Sequence, residues 1–288
     1  MASSKLSARI RREGLAALQE NFLSLSTEVQ EAVHVEAVEV AEKGIYAVLW
    51  NTPEYPELLR LILNAPVALF CLGRPSLLSA PGVGICGARN VSDDGLRAAA
   101  VCGQVAARQG LSAVSGYARG VDMVTHTAAL NAGGATVIVL PEGINHFRVK
   151  RGEFREAWDA ERVLIVSQFA PNQTWSTGNA MTRNSVIIGL SLGLVVVEAG
   201  ETGGTLAAGT RALELDRRVL TLEFADTPRG NQILLERGAV SVHNKTELAS
   251  FFDELYYVGE QPSRAKQELH GQYAMISDLR SGPPGVEW

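Results

Sequence analysis

The chain turns on Leu111-Ser112-Ala113-Val114-Ser115-Gly116-Tyr117-Ala118-Arg119-Gly120-Val121-Asp122, with His126 four residues further on. An apolar run, Leu111 to Val114, enters this stretch, and Val121, Val124 and Ala128 leave it at helical spacing. It reads as a strand, a glycine-lined turn and a helix start. Such a junction gathers unpaired backbone N–H groups at the positive end of the helix dipole, a setting that suits phosphate. Arg119 sharpens the reading: a cation beside a helix N-terminus is unfavourable by roughly 0.3–1 kcal/mol, which an anionic ligand would offset. The alternative is an ordinary strand-to-helix turn with a solvated arginine. Asp122 and His126 share a helix face and can hydrogen-bond one another. An acid–base role is the alternative, but no Ser or Cys nucleophile stands at a recognisable elbow, so they are read as a structural pair, Asp122 bracing the turn that presents Arg119.

Working outward, the runs Val83 to Ala88, Thr136 to Leu140, Arg162 to Phe169, Leu194 to Ala199 and Arg218 to Glu223 are also strand-like, with helical segments between. Continuous apolar strands alternating with helices predict an α/β fold, a doubly wound, mostly parallel Rossmann-like sheet covered on both faces. Ligands of such sheets bind at the carboxyl ends of the strands. Val67 to Leu72 reads as an edge strand, and residues 5 to 43 as helical. The expected organisation is an N-terminal helical segment (1–50), a Rossmann-like domain (51–258) and a flexible C-terminal tail (259–288).

Each glycine turn follows a strand. Gly82-Val83-Gly84-Ile85-Cys86-Gly87 spells GxGxxG, but its first two glycines precede or lie in the strand, so it fails as a dinucleotide fingerprint. After it, Arg89 stands at the strand's carboxyl end, free for an anion or bridged to Asp93 or Asp94, and Ser92, Asp93 or Asp94 can cap the next helix. A polar loop, Asn172 to Asn179, carries Trp175, an aromatic able to stack on a base or to serve as a lid. Arg183-Asn184 follows and reads as a second arginine at a helix opening. Glu198-Ala199-Gly200-Glu201-Thr202-Gly203-Gly204-Thr205 ends the set; Thr205 and the amides of Gly203 and Gly204 can hold a phosphate.

The 288 residues, 46% hydrophobic and 20% charged, describe a globular chain. No run reaches the roughly 20 apolar residues of a membrane span, so a cytoplasmic protein with no membrane partner is expected. Cys71, Cys86 and Cys102 read as buried thiols, and the five histidines are scattered, so no metal and no cofactor is expected. The net charge of −5 is unevenly spread. Residues 1–73 hold 6 basic and 9 acidic side chains, residues 74–183 hold 11 and 8, and residues 184–288 hold 9 and 14. The only basic third contains the arginine-bearing turns, and arginine's planar fork matches phosphate.

Tyr55-Pro56, Ala65-Pro66, Gly87-x-Arg89, Ser115-Gly116-x-Ala118-x-Gly120-Val121-Asp122 with His126, Arg183-Asn184, Glu198-Ala199, and Gly230-Asn231 before Gly238-Ala239 come in the order seen in one family. Over residues 45 to 243 the chain resembles the DNA-processing protein A (DprA/Smf) family. The resemblance implies a Rossmann-like domain that binds single-stranded DNA, self-associates as a homodimer and hands the strand to a RecA-type recombinase during transformation. It maps DNA-phosphate contacts onto Arg89, Ser115, Gly116, Arg119 and Arg183, with Asn184 beside them; Asp122, His126 and Glu198 are read as structural support. The chain departs from the family pattern at Pro141 to Phe147, at Ser167-Gln168 and at Met181-Thr182. The competing reading is a nucleotide sensor or phosphoribohydrolase of the lysine-decarboxylase-like superfamily, with Glu198 or Glu142 as acid or base.

Overall fold

The computed structural model describes residues 4–150 and 152–260. Three helices, α1 (Ser4–Glu13), α2 (Leu15–Leu23) and α3 (Thr27–Glu42), precede β1 (Tyr46–Leu49), the short α4 (Glu57–Arg60) and β2 (Ala68–Gly73). The alternating part then runs β3 (Gly82–Cys86), α5 (Asp93–Arg108), β4 (Ser112–Ser115), α6 (Val121–Asn131), β5 (Thr136–Val139), α7 (Glu153–Ala157) and β6 (Val163–Ser167). It continues through α8 (Thr177–Gly189), β7 (Gly193–Val196), α9 (Gly204–Glu214), β8 (Arg218–Leu222), α10 (Arg229–Glu236), β9 (Val240–Val242) and α11 (Lys245–Glu260).

The nine strands of the described residues form one sheet in the order β1-β2-β6-β5-β4-β3-β7-β8-β9. From β6 to β9 every pairing is parallel. The strands advance from β3 to β6 on one side and from β7 to β9 on the other, so the order reverses between β3 and β7, the doubly wound pattern. Successive side chains of a strand point to opposite faces, and here both faces are covered. Leu194 and Val196 enter a core under α4, α8 and α9 that includes Leu59, Ile187 and Ala212. Val195 and Val197 enter the opposite core with Val105, Phe251 and Phe252 of α5 and α11.

Two expectations need correction. Val67 to Leu72 is not an edge strand: β2 lies one position in, antiparallel to both β1 and β6. The true edge, β1, is four residues long, too short to show a period. It also moves the domain boundary, because the sheet begins at Tyr46, inside the segment assigned to the N-terminal helices. Those helices pack on the same body: Ile10 and Ala17 are buried, and Arg11 donates 2.6 Å to Ala65 O. Of the expected tail, only residues 259 and 260 fall among the described residues, where they close α11.

Candidate nucleic-acid interface

The carboxyl ends of β3, β4 and β5 lie side by side, and the turn Gly116 to Gly120 is held there by several independent contacts. Gly120 adopts φ 87°, and a Cβ on it would meet Ala88 O at 2.6 Å and Arg89 O at 2.8 Å. Only glycine allows this conformation and approach, which sets the start of α6 against the loop after β3. Arg89 and Arg119 thereby become neighbours on one surface. Both are exposed; Arg119 Nη2 donates to Asn90 Oδ1 at 2.5 Å. Arg89 makes no hydrogen bond or ion pair among the described residues, so the bridge to Asp93 or Asp94 is absent; Asp94 pairs with Arg97 instead.

Behind the turn sit buried polar groups. Asp122 Oδ2 accepts from Ala118 N at 3.2 Å, bracing the turn as expected. His126, fully buried, does not bond Asp122. Its Nε2 donates to Gly116 O at 2.5 Å, and its Nδ1 lies 2.5 Å from Thr136 Oγ1, which donates to Ala113 O at 2.7 Å. Four residues apart places the two side chains on one face, but each braces a different part of the backbone. Burial pushes the imidazole down to about 4, so it is neutral at pH 7.

Arg183 corrects a further expectation. It does not open a helix: α8 starts at Thr177, capped by Ser176, whose Oγ accepts from Asn179 N at 3.0 Å. Arg183 therefore lies in the middle of α8, 8% exposed, and Nη1 donates to Val139 O at 2.6 Å. Its Nε donates to Asn184 Oδ1 at 3.2 Å, and Asn184 Nδ2 reaches Gly204 O at 3.3 Å.

The segment Pro141 to Lys150, where the chain departs from the family pattern, folds back on the turn. Tyr117 packs against Phe147, tilted, and Phe154, edge-on, at 5.3 and 5.5 Å between centroids, and both rings meet Trp158. Lys150 N donates to Tyr117 Oη at 2.9 Å, its Nζ donates to Tyr117 O, and the ammonium sits 4.0 Å above the Tyr117 ring. Burial pushes this lysine below its usual value. Sequence reasoning did not place Lys150 in the site. Its signal was the basic run Arg148-Val149-Lys150-Arg151.

Together these elements enclose a cavity of about 430 Å³ lined by Arg89, Arg119, Lys150 and Arg183, with Tyr117 and Trp175 beside them. Trp175 is 48% exposed. One carboxylate, Glu142, also reaches it. Four cations to one anion make the cavity electropositive, and its cations and flat rings suit a phosphate chain carrying bases.

Not every expected residue joins. Ser115 is fully buried and donates 2.5 Å to Ile85 O, so its hydroxyl links β4 to β3 instead of facing the cavity; Gly116 is covered as well. Gly203, Gly204 and Thr205 begin α9 beyond Asn184 and do not line the cavity. Glu198, at the end of β7, accepts from Ser92 N at 3.1 Å and from Ser92 Oγ. Its carboxylate thus occupies the N-terminus of α5 at the reversal of strand order, where Rossmann-like folds commonly hold phosphate. Among the described residues no cluster of three or more His, Cys, Asp or Glu could hold a metal, and no helix is long and apolar enough to cross a membrane. Burial pushes the Cys71 and Cys102 thiols up to about 12, which makes both poor nucleophiles.

The fold and cavity define a Rossmann-like protein with a cationic, aromatic-edged site on the carboxyl edge of its sheet. Residues 46–253 match the family of the DNA recombination-mediator protein A. The chain belongs to that family. A Smf protein of Synechocystis is 32% identical over 203 residues, 69% of this chain, and the match spans 50% of that relative's length. The crystal structure of DNA processing protein A from Streptococcus pneumoniae superposes with a TM-score of 0.67 at 27% identity, covering 82% of this chain and 81% of that one. A structure describing the single-stranded DNA binding mode of DNA processing protein A from Helicobacter pylori shares the fold, with a TM-score of 0.63 at 23% identity over 72% of this chain and 94% of that one.

Proposed function

We propose that this chain is a non-enzymatic binder of single-stranded DNA that holds the backbone at Arg89, Arg119, Lys150 and Arg183 and stacks bases on Trp175. The observation that carries this reading is the convergence of those cations and the exposed indole on one cavity. Family membership supports it, as does the DNA binding described for the Helicobacter pylori relative. Ser115 and Gly116 serve by shaping the turn, and the open start of α9 at Gly203, Gly204 and Thr205 takes a neighbouring phosphate of the same strand, aligned through Asn184. The same proposal includes a cytoplasmic homodimer that passes the strand to a RecA-type recombinase. The phosphoribohydrolase reading requires a free acid or base: Glu198 is taken up by Ser92, which leaves Glu142, at the cavity, as its one remaining candidate of the two.

The test is fluorescence anisotropy of labelled oligo-dT, beside duplex of equal length, at low and moderate salt. The protein should prefer the single strand, and log K should fall against log salt with a slope of about −2 to −3 for three or four neutralised phosphates. Arg119→Ala should weaken binding to all sequences alike. Folded protein that ignores single strands at low salt would overturn the reading.

A further inference from the structure

We propose that a groove along α6 is a base-reading subsite for the same strand, a proposal that rests on the single-stranded DNA reading above. The groove, about 540 Å³, runs beside α6 from Arg119 towards Asn131. Arg119 and Lys150 line both this groove and the cationic cavity, so the two hollows share that pair of cations. A phosphate held between them leaves the adjoining nucleotide over the groove.

The chemistry of the groove changes along its length. Met123, Val124 and Ala128 give it an apolar floor, with a thioether able to adapt to a flat ring. Its polar walls are Gln104 of α5, Asn131 and the Glu153 carboxylate. Neither the Gln104 nor the Asn131 amide has a hydrogen-bond partner among the described residues. Away from Arg119 and Lys150, the apolar lining and Glu153 disfavour a second phosphate, whereas a planar ring with a polar edge satisfies both. Side-chain amides pair with adenine N6 and N7, and a carboxylate accepts from the cytosine N4 amine. Thymine has no exocyclic amine to offer Glu153. The site therefore favours amine-bearing bases, adenine first, at one nucleotide next to the phosphate on Arg119 and Lys150.

The experiment scans a single dA, and separately a single dC, through every position of an oligo-dT, measuring affinity by anisotropy at fixed salt. One position should show a gain of about fivefold or more for dA over dT, in the range of one good bidentate pair. In the Gln104→Ala/Asn131→Ala variant, both changes on the walls of the groove, that gain should fall below twofold while affinity for oligo-dT and its salt slope stay as in the wild type. Equal affinity at every position, or a preference that survives in the variant, overturns the subsite and leaves the DNA reading standing. Absence of oligo-dT binding by the wild type overturns both.

Discussion

A Cβ on Gly116 would stand 2.1 Å from Arg183 Nη1 and 2.5 Å from Asp122 Oδ2. The buried guanidinium and the carboxylate that braces the turn flank the space a side chain would fill. Gly116→Ala must push Arg183 off Val139 O, combining overpacking with the loss of a charged hydrogen bond. Urea denaturation should show a loss of about 1–3 kcal/mol, together with weaker single-strand binding. Wild-type stability and binding in this variant would mean that Arg183 can leave its pocket freely.

Asn231 is fully buried and makes three hydrogen bonds: its Oδ1 accepts from Ala199 N at 2.8 Å, and its Nδ2 donates to Val197 O at 3.0 Å and Leu222 O at 3.1 Å. It ties the ends of β7 and β8 to α10. Asn231→Asp replaces the donor with an acceptor facing two carbonyls and should cost more than Asn231→Ala, itself worth about 2–4 kcal/mol. Thermal unfolding of the pair checks the order; an aspartate variant as stable as the alanine one would contradict this bonding.

His126 gives a pH dependence with a defined sign. Its folded value, about 4, lies below the ordinary 6.5, so the unfolded chain binds the extra proton between those values. The stability this histidine contributes is complete above about pH 6.5 and is lost as pH falls towards 4, by on the order of 3 kcal/mol. Urea midpoints across that window should fall more steeply for the wild type than for His126→Gln. Parallel curves would show that the imidazole takes up its proton as readily in the folded protein as in the unfolded chain.

Trp175 and Arg89 should fail in different ways. Trp175→Ala removes stacking and should weaken oligo-dT binding by about 1–3 kcal/mol with an unchanged salt slope. Arg89→Ala removes one phosphate contact and should make the slope shallower by about 0.7. Isothermal titration at three salt concentrations separates the two effects, and identical slopes for wild type and Arg89→Ala would take Arg89 off the backbone path.

The strands were readable because burial on both faces leaves long apolar runs, and Arg89 and Arg119 because each follows such a run into a turn. Arg183 was misplaced because the polar stretch before Asn179 reads as loop, while Ser176 caps a helix that starts at Thr177. Ser115 was misread for a different reason: a hydroxyl beside a glycine turn looks the same in sequence whether it meets a phosphate or Ile85 O. For Lys150 the sequence offers only a basic run, since it reaches the turn through the packing of Tyr117, Phe147, Phe154 and Trp158, contacts made between distant parts of the chain.

The carboxylate of Glu198 at the head of α5 also has a consequence for small ligands. A free mononucleotide seeking the usual phosphate seat of this fold would have to evict a negative charge already hydrogen-bonded to Ser92. The cationic cavity lies to one side of that seat, where an extended polymer can lay several phosphates and bases across it at once. On the proposed reading a single nucleotide gains only one such contact, so the cavity would discriminate an extended strand from a free mononucleotide.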